Sequence, residues 1–168
     1  MAYSSIAGLA DLQNKLQTTA LEVAESSNIG SSLITQMLSN PNSQSDWNNM
    51  DKVITKFKEN YTPILSGLRV LVTLTDGTVA YDSSKGTNNT FTNFQSNKIG
   101  ENHNSRVAIM LANLGKDGVG NETKYSTTTG ENQAYNAVRM GLATTDALGC
   151  VRVSADVDQS KKVNLKKL

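Results

Sequence analysis

Three groups of side chains in this sequence could do chemistry. Tyr81, Asp82 and Ser83 end the apolar run "RVLVTLTDGTVAYDSS" at 69–84, His103 and Arg106 stand in "GENHNSR", and Tyr125, Tyr135 and Arg139 lie in "TKYSTTTGENQAYNAVRM". A tyrosine at a strand end can line a pocket or belong to the core. Asp82 can accept hydrogen bonds from loop amides or from a ligand amine, and an Asp-Ser pair after a strand also makes the Asx-turn that ends it. That turn is the leading reading for Asp82 and Ser83. Tyr125 and Tyr135 fall on neighbouring strand segments, where each ring could face a pocket over a sheet or join the other as a cross-strand core pair. Arg139 shares a face with Tyr135 and could hold a carboxylate or cover the sheet edge.

His103 is the one histidine, so no second imidazole is available for a metal, and no Ser/His/Asp set has supporting spacing. Its expected role is a loop-organising hydrogen bond. Arg106 opens a short apolar helix, where a cation opposes the helix dipole. An inward turn explains it, either toward an anionic ligand or toward a carboxylate such as Asp82. Gly118 and Gly120 in "KDGVGN" lack the spacing and the strand-to-helix setting of a phosphate cradle. The single cysteine, Cys150, can form neither an internal disulfide nor a zinc site of the usual Cys/His spacing.

These groups need a scaffold, and hydrophobic periodicity supplies one. Leu9, Leu12, Leu16, Ala20 and Val23, then Leu33, Ile34, Met37 and Leu38, step by three and four, which predicts one long helix from Ser4 to Ser39 with Gly30 as the place for a kink. Continuous, it would run about 50 Å at 1.5 Å per residue. That exceeds the width of a small domain, so part of it is expected to project or to pair with a second copy. A second helix, capped by Ser45 or Asp46, carries Trp47, Met50, Val53, Ile54, Phe57 and Tyr61 on one stripe up to Pro63. The pattern then changes to a hairpin, Leu68–Thr75 with Thr78–Asp82, around Asp76-Gly77. A polar connection follows to Asn104, and "SRVAIMLANLG" reads as a short helix ending at Gly115. Strands are expected at "NETKYSTTT", "NQAYNAVRM" and "GCVRVSADV", the last placing Val151, Val153, Ala155 and Val157 on a core face and Cys150, Arg152, Ser154 and Asp156 on a face outside the core.

At 168 residues the chain fits one domain with a real core. Sixteen Lys and Arg stand against 15 Asp and Glu, a net charge of +1 that gives no reason to expect nucleic acid or an anionic membrane surface. No window approaches the roughly 18 apolar residues of a membrane span, and the start lacks the basic and apolar regions of a signal peptide. An extracytoplasmic location is expected only if the sequence is an excised receptor domain.

In the order of its segments, the run from Arg69 to Val157 resembles the extracytoplasmic PAS-like sensor domains, also called Cache or PDC domains, of bacterial sensor histidine kinases and chemoreceptors. The resemblance rests on "RVLVTLTDGTVAYDSS", "GENHNSR", "VAIMLANLG", "TKYSTTTGENQAYNAV" and "CVRVS". It implies an α+β fold in which the long N-terminal helix and the second helix pack on a five-stranded antiparallel PAS-like sheet. It divides the chain into a helical region at 1–66, a sensor domain at 67–158 and a basic tail at 159–168. It also implies a non-catalytic ligand-sensing role without a cofactor, the ligand lying between the sheet and the 84–114 connection. The expected lining is Tyr81, Arg106, Tyr125, Tyr135 and Arg139, with Asp82, Ser83 and His103 organising the loops. Two arginines and three phenols favour a small polar or anionic ligand. The tyrosine and Arg-x-Trp signature of amino-acid-binding members is absent, so no amino-acid ligand is implied. The alternative is a structural or partner-binding protein that self-associates through its N-terminal helix.

Overall fold

The computed structural model describes residues 8–25, 31–39, 43–61, 65–74, 79–85, 118–126, 130–140 and 149–159. Three helices, α1 (Leu9–Glu25), α2 (Ser31–Ser39) and α3 (Gln44–Tyr61), precede five strands: β1 (Arg69–Leu74), β2 (Val79–Asp82), β3 (Val119–Ser126), β4 (Glu131–Met140) and β5 (Gly149–Asp156). A 3-10 turn, Ser83–Lys85, follows β2. The strands form one antiparallel sheet in the order β2-β1-β5-β4-β3. This is the α+β architecture expected from the sequence, with the hairpin β1–β2 on one side and the β3–β4–β5 meander on the other.

The helix expected over Ser4–Ser39 is described as α1 and α2, and Gly30 lies outside the described residues. Leu12, Leu16, Ala20 and Val23 are all buried, because α1 packs along β4 and β5. The Gln13 side-chain amide donates to the Glu122 carbonyl at 3.1 Å, and the Asn136 amide donates back to the Gln13 carbonyl at 3.3 Å. The apolar stripe is therefore core for this chain's own sheet. Only its first member, Leu9, stays largely exposed.

The cap of α3 is Ser43, ahead of the two residues expected: its Oγ accepts from the Asp46 backbone N–H at 3.1 Å and its carbonyl accepts from Trp47. Trp47, Met50 and Ile54 are buried, while Val53 and Phe57 pack at the margin. A bulge between Val72 and Thr73 interrupts the β1–β2 pairing, and the hairpin turn lies outside the described residues. Where β5 begins, a Cβ at Gly149 would collide with the carbonyl oxygen of Thr73, so the strands close only around glycine.

Register assigns the two faces. Val72 pairs with Val151 and Val151 with Val138, while Val70 pairs with Val153 and Val153 with Asn136. Directly paired residues share a face. Asn136 touches α1, Tyr81, paired with Val72, touches α3, and Gly149, paired with Leu74, lies against Leu38 of α2. All three helices thus lie on one side. Alternation alone puts the opposite face outside the core, yet Cys150, Arg152 and Ser154 are buried there too. Their strand runs between β1 and β4 at the centre of the sheet, where both faces are removed from water.

Candidate functional site

The side of the sheet turned away from the helices is built from the odd members of β1 and β4 and the even members of β5. Register places Arg152 directly between Leu71 of β1 and Ala137 of β4, and Ser154 between Arg69 and Tyr135. A guanidinium thus stands on a central strand between two small or apolar neighbours. Arg152 is 3% exposed, its Cζ lies 4.5 Å from the centroid of the Tyr135 ring, and its Nε is buried without a hydrogen-bond partner. Burial first, and the nearby charge of Arg69 second, pull its pKa down to about 10, against the opposing influence of Tyr135, Asp82 and Cys150. At neutral pH it is still a cation.

A second arginine on this face is already neutralised. Arg69 Nε donates to Asp82 Oδ1 at 3.0 Å and Nη2 donates to Oδ2 at 2.6 Å, a two-pronged pair of the kind that fixes geometry as well as charge. Burial alone would raise the Asp82 carboxyl. The Arg69 bonds and charge, with the Ser84 hydroxyl at 2.8 Å and backbone N–H at 3.0 Å, outweigh it and hold the group below its ordinary range. Ser83 Oγ accepts from the Val70 N–H at 2.9 Å, so the turn after β2 is tied back to β1.

Beside Arg152, Cys150 Sγ and Thr73 Oγ1 lie 3.2 Å apart, and burial pushes the thiol up to about 11 even though Thr73 and Arg152 favour the thiolate. It is a packed, unreactive sulfur. At the far end of the face Gln133 donates to Asp156, which also accepts from Ser66 Oγ at 3.2 Å. Gly67, at φ 72°, lies against that carboxylate where a Cβ would overlap it. Among the described residues no group of three or more His, Cys, Asp and Glu is placed to hold a metal ion.

The residues expected to line one pocket are divided by the sheet. Tyr135 and Arg139 are on the face of Arg152, with the Arg139 backbone N–H donating to the Gly118 carbonyl at 2.7 Å and its guanidinium beside Gly118. Tyr81 is on the helix side, fully buried, its hydroxyl donating to Asp51 at 2.8 Å and its ring meeting Trp47 edge-on at 5.2 Å. It is core, and burial together with the Asp51 bond raises its phenol pKa. Tyr125 pairs with Asn132 on the α1 side of the edge strand and is 58% exposed, so it shares no face with Tyr135. Asn121, Thr123 and Tyr125 are level with Asn136, Ala134 and Asn132, and Asn136 touches α1. Asp82, a suggested partner for Arg106, is taken by Arg69. Arg106 and His103 lie outside the described residues, as does most of the 84–114 connection.

Arg152 and Arg69 are not among the residues that sequence reasoning selects. For Arg152 the signal is present in "VRVS", where an arginine is set between two valines and shares its face with Cys150 and Ser154; for Arg69 it is the arginine that leads "RVLVTL".

No protein-family model and no curated protein sequence matches the chain. Among solved structures it is similar to the crystal structure of the V. cholerae histidine kinase DctB sensor domain, with a TM-score of 0.61 over 94% of this chain and 53% of that one. The fold is PAS-like. At 14% identity the likeness is one of fold, and the chain spans about half the length of the sensor domain it matches. The sheet order β2-β1-β5-β4-β3 and the helices on one face are this PAS-like arrangement in the present chain.

Proposed function

We propose that this chain is a non-catalytic ligand-sensing domain of a signal-transduction protein, holding a small polar or anionic ligand on the sheet face opposite the helices, under the 84–114 connection. The observation that supports this most is the polar interior of that face. A fold stabilised by burial alone gains nothing from an arginine on its central strand, whereas Arg152 is nearly inaccessible and its Nε has no partner. The likeness to a histidine kinase sensor domain supports the same reading, and extracytoplasmic placement belongs to it. Among the described residues no helix is long and apolar enough to cross a membrane.

The lining on this reading is Arg152, Tyr135, Ser154 and Arg139, joined by Arg106 from the connection. Mass spectrometry of small molecules released when the purified protein is denatured tests it. One compound recovered in stoichiometric amount is the expected result, and rebinding of that compound should raise the melting temperature. A protein that releases nothing and is stabilised by no small molecule would overturn the reading. Self-association through the N-terminal helix is the second reading, and it would have to use Leu9 and Leu21, the large apolar residues that α1 leaves exposed.

A further inference from the structure

We infer that two copies of this chain join edge to edge through β3, in the antiparallel register that sets Thr123 opposite the partner's Thr123 and Glu122 opposite the partner's Lys124. This contact is independent of any ligand. Among the described residues β3 stands last in the sheet and pairs with β4 alone. Asn121, Thr123 and Tyr125, which alternate along it, are all exposed. The β3–β4 ladder fixes where the backbone groups of this edge point. The Arg139 N–H donates to the Gly118 carbonyl at 2.7 Å, and antiparallel pairs alternate between hydrogen-bonded and non-hydrogen-bonded. Gly120, Glu122 and Lys124 therefore turn their N–H and C=O groups toward β4, and Asn121, Thr123 and Tyr125 turn theirs to the open edge.

Charge selects the register. Glu122 and Lys124 lie on the face turned away from the helices, level with Tyr135 and Gln133. A strand that pairs antiparallel with its own copy does so about a two-fold axis. An axis through Glu122 sets glutamate opposite glutamate, and one through Lys124 sets lysine opposite lysine. An axis through Thr123 sets Glu122 opposite the partner's Lys124, and by symmetry Lys124 opposite the partner's Glu122. In that register Thr123 meets the partner's Thr123 and Asn121 meets the partner's Tyr125 as hydrogen-bonded pairs, which uses the backbone groups that face outward. The charges then occupy non-hydrogen-bonded pairs, where Cα atoms stand about 4.5 Å apart and side chains are closest. A lone lysine on an edge strand deters pairing, but an acid two residues before it makes the edge complementary to itself. Directly paired residues share a face, so the two sheets run on as one with the helices of both copies on the same side. The exposed Tyr125 ring is covered there beside the partner's Asn121.

Sedimentation velocity and light scattering of the full chain at tens of micromolar protein should show a dimer in exchange with monomer. Glu122→Lys and Lys124→Glu should each weaken it by about tenfold or more, because both cross-strand pairs become like-charged. Mixed in equal amounts, the two variants should form a heterodimer in which acid faces base at both places. The double variant Glu122→Lys/Lys124→Glu should associate as the native chain does. Thr123→Cys gives a reading free of charge: mild oxidation should link two copies, since a hydrogen-bonded pair holds Cα atoms about 5.5 Å apart, within disulfide reach. Asn121→Cys, offset from the partner's equivalent residue along the strands, should not link. A monomer at every concentration would overturn the inference. So would a dimer that persists undiminished in both single variants, which would place the contact elsewhere, as at the exposed Leu9 and Leu21 of α1. Single variants that stay monomeric when mixed, or Asn121→Cys linking as readily as Thr123→Cys, would overturn the register.

Discussion

Arg69 and Asp82 are locked together across the β1–β2 pair by two parallel hydrogen bonds of 3.0 and 2.6 Å, and the same carboxylate also accepts from Ser84. One aspartate thereby neutralises a buried-face arginine and ends the strand. Asp82→Ala would remove the two-pronged acceptor of Arg69 beside the Arg152 charge. Loss of one member of a buried pair costs about 3–5 kcal/mol, so urea titration of this variant should show a fall in stability of that order. A change below about 1 kcal/mol would mean that water reaches the pair and screens it.

Acid should act through the same group. The Asp82 pKa is lowered from its ordinary 3.8 in the folded chain, so its stabilising contribution is complete above that value and is lost as pH falls through the lower folded value. Asp82→Asn should be less stable at neutral pH and should show a flatter decline between pH values just above and well below 3.8. Parallel acid limbs in the two proteins would remove Asp82 as the cause.

Tyr81 and Tyr135 should respond differently to loss of a hydroxyl or a ring. Tyr81→Phe leaves Asp51 without its 2.8 Å donor and should cost about 1 kcal/mol, read by denaturant unfolding. Tyr135→Leu keeps an apolar side chain but removes the ring face under Arg152, and it should weaken binding of whatever compound the native protein releases. The cation–π contact is worth about 0.5–2 kcal/mol, a loss that calorimetry resolves. Unchanged affinity in Tyr135→Leu would move the ligand off this face.

Leu16 decides whether the helical stripe is core or interface. It is fully buried against this chain's own sheet, so Leu16→Ala should cost about 2–5 kcal/mol, and the loss should be the same at every protein concentration. A stability loss that shrinks as the protein is concentrated, with light scattering showing a dimer, would instead assign the stripe to self-association.

Much of this fold is legible in the amino-acid sequence, because the signals are local. The period-two alternation of Val70, Val72 and Leu74, and of Val151, Val153 and Ala155, dictates strands, and the steps of three and four from Leu12 to Val23 dictate a helix. Antiparallel pairing follows from short connections and from the resemblance to PAS-like domains. The candidate site is less legible. Alternation says that neighbours point to opposite faces, but it does not say which face the helices cover, and a shift of one residue exchanges the two sets. Tyr81, Tyr125 and Tyr135 all look alike as tyrosines on strands. Only the register Val72 to Tyr81, and the packing of α1 and α3, puts the first two on the helix side and leaves Tyr135 on the other. The pairing of Asp82 with Arg69, and the burial of Arg152 against the Tyr135 ring, are likewise tertiary facts. They depend on which strand lies beside which, and on burial deep enough that an unpaired charge becomes costly, and neither quantity is carried by any single segment of the chain.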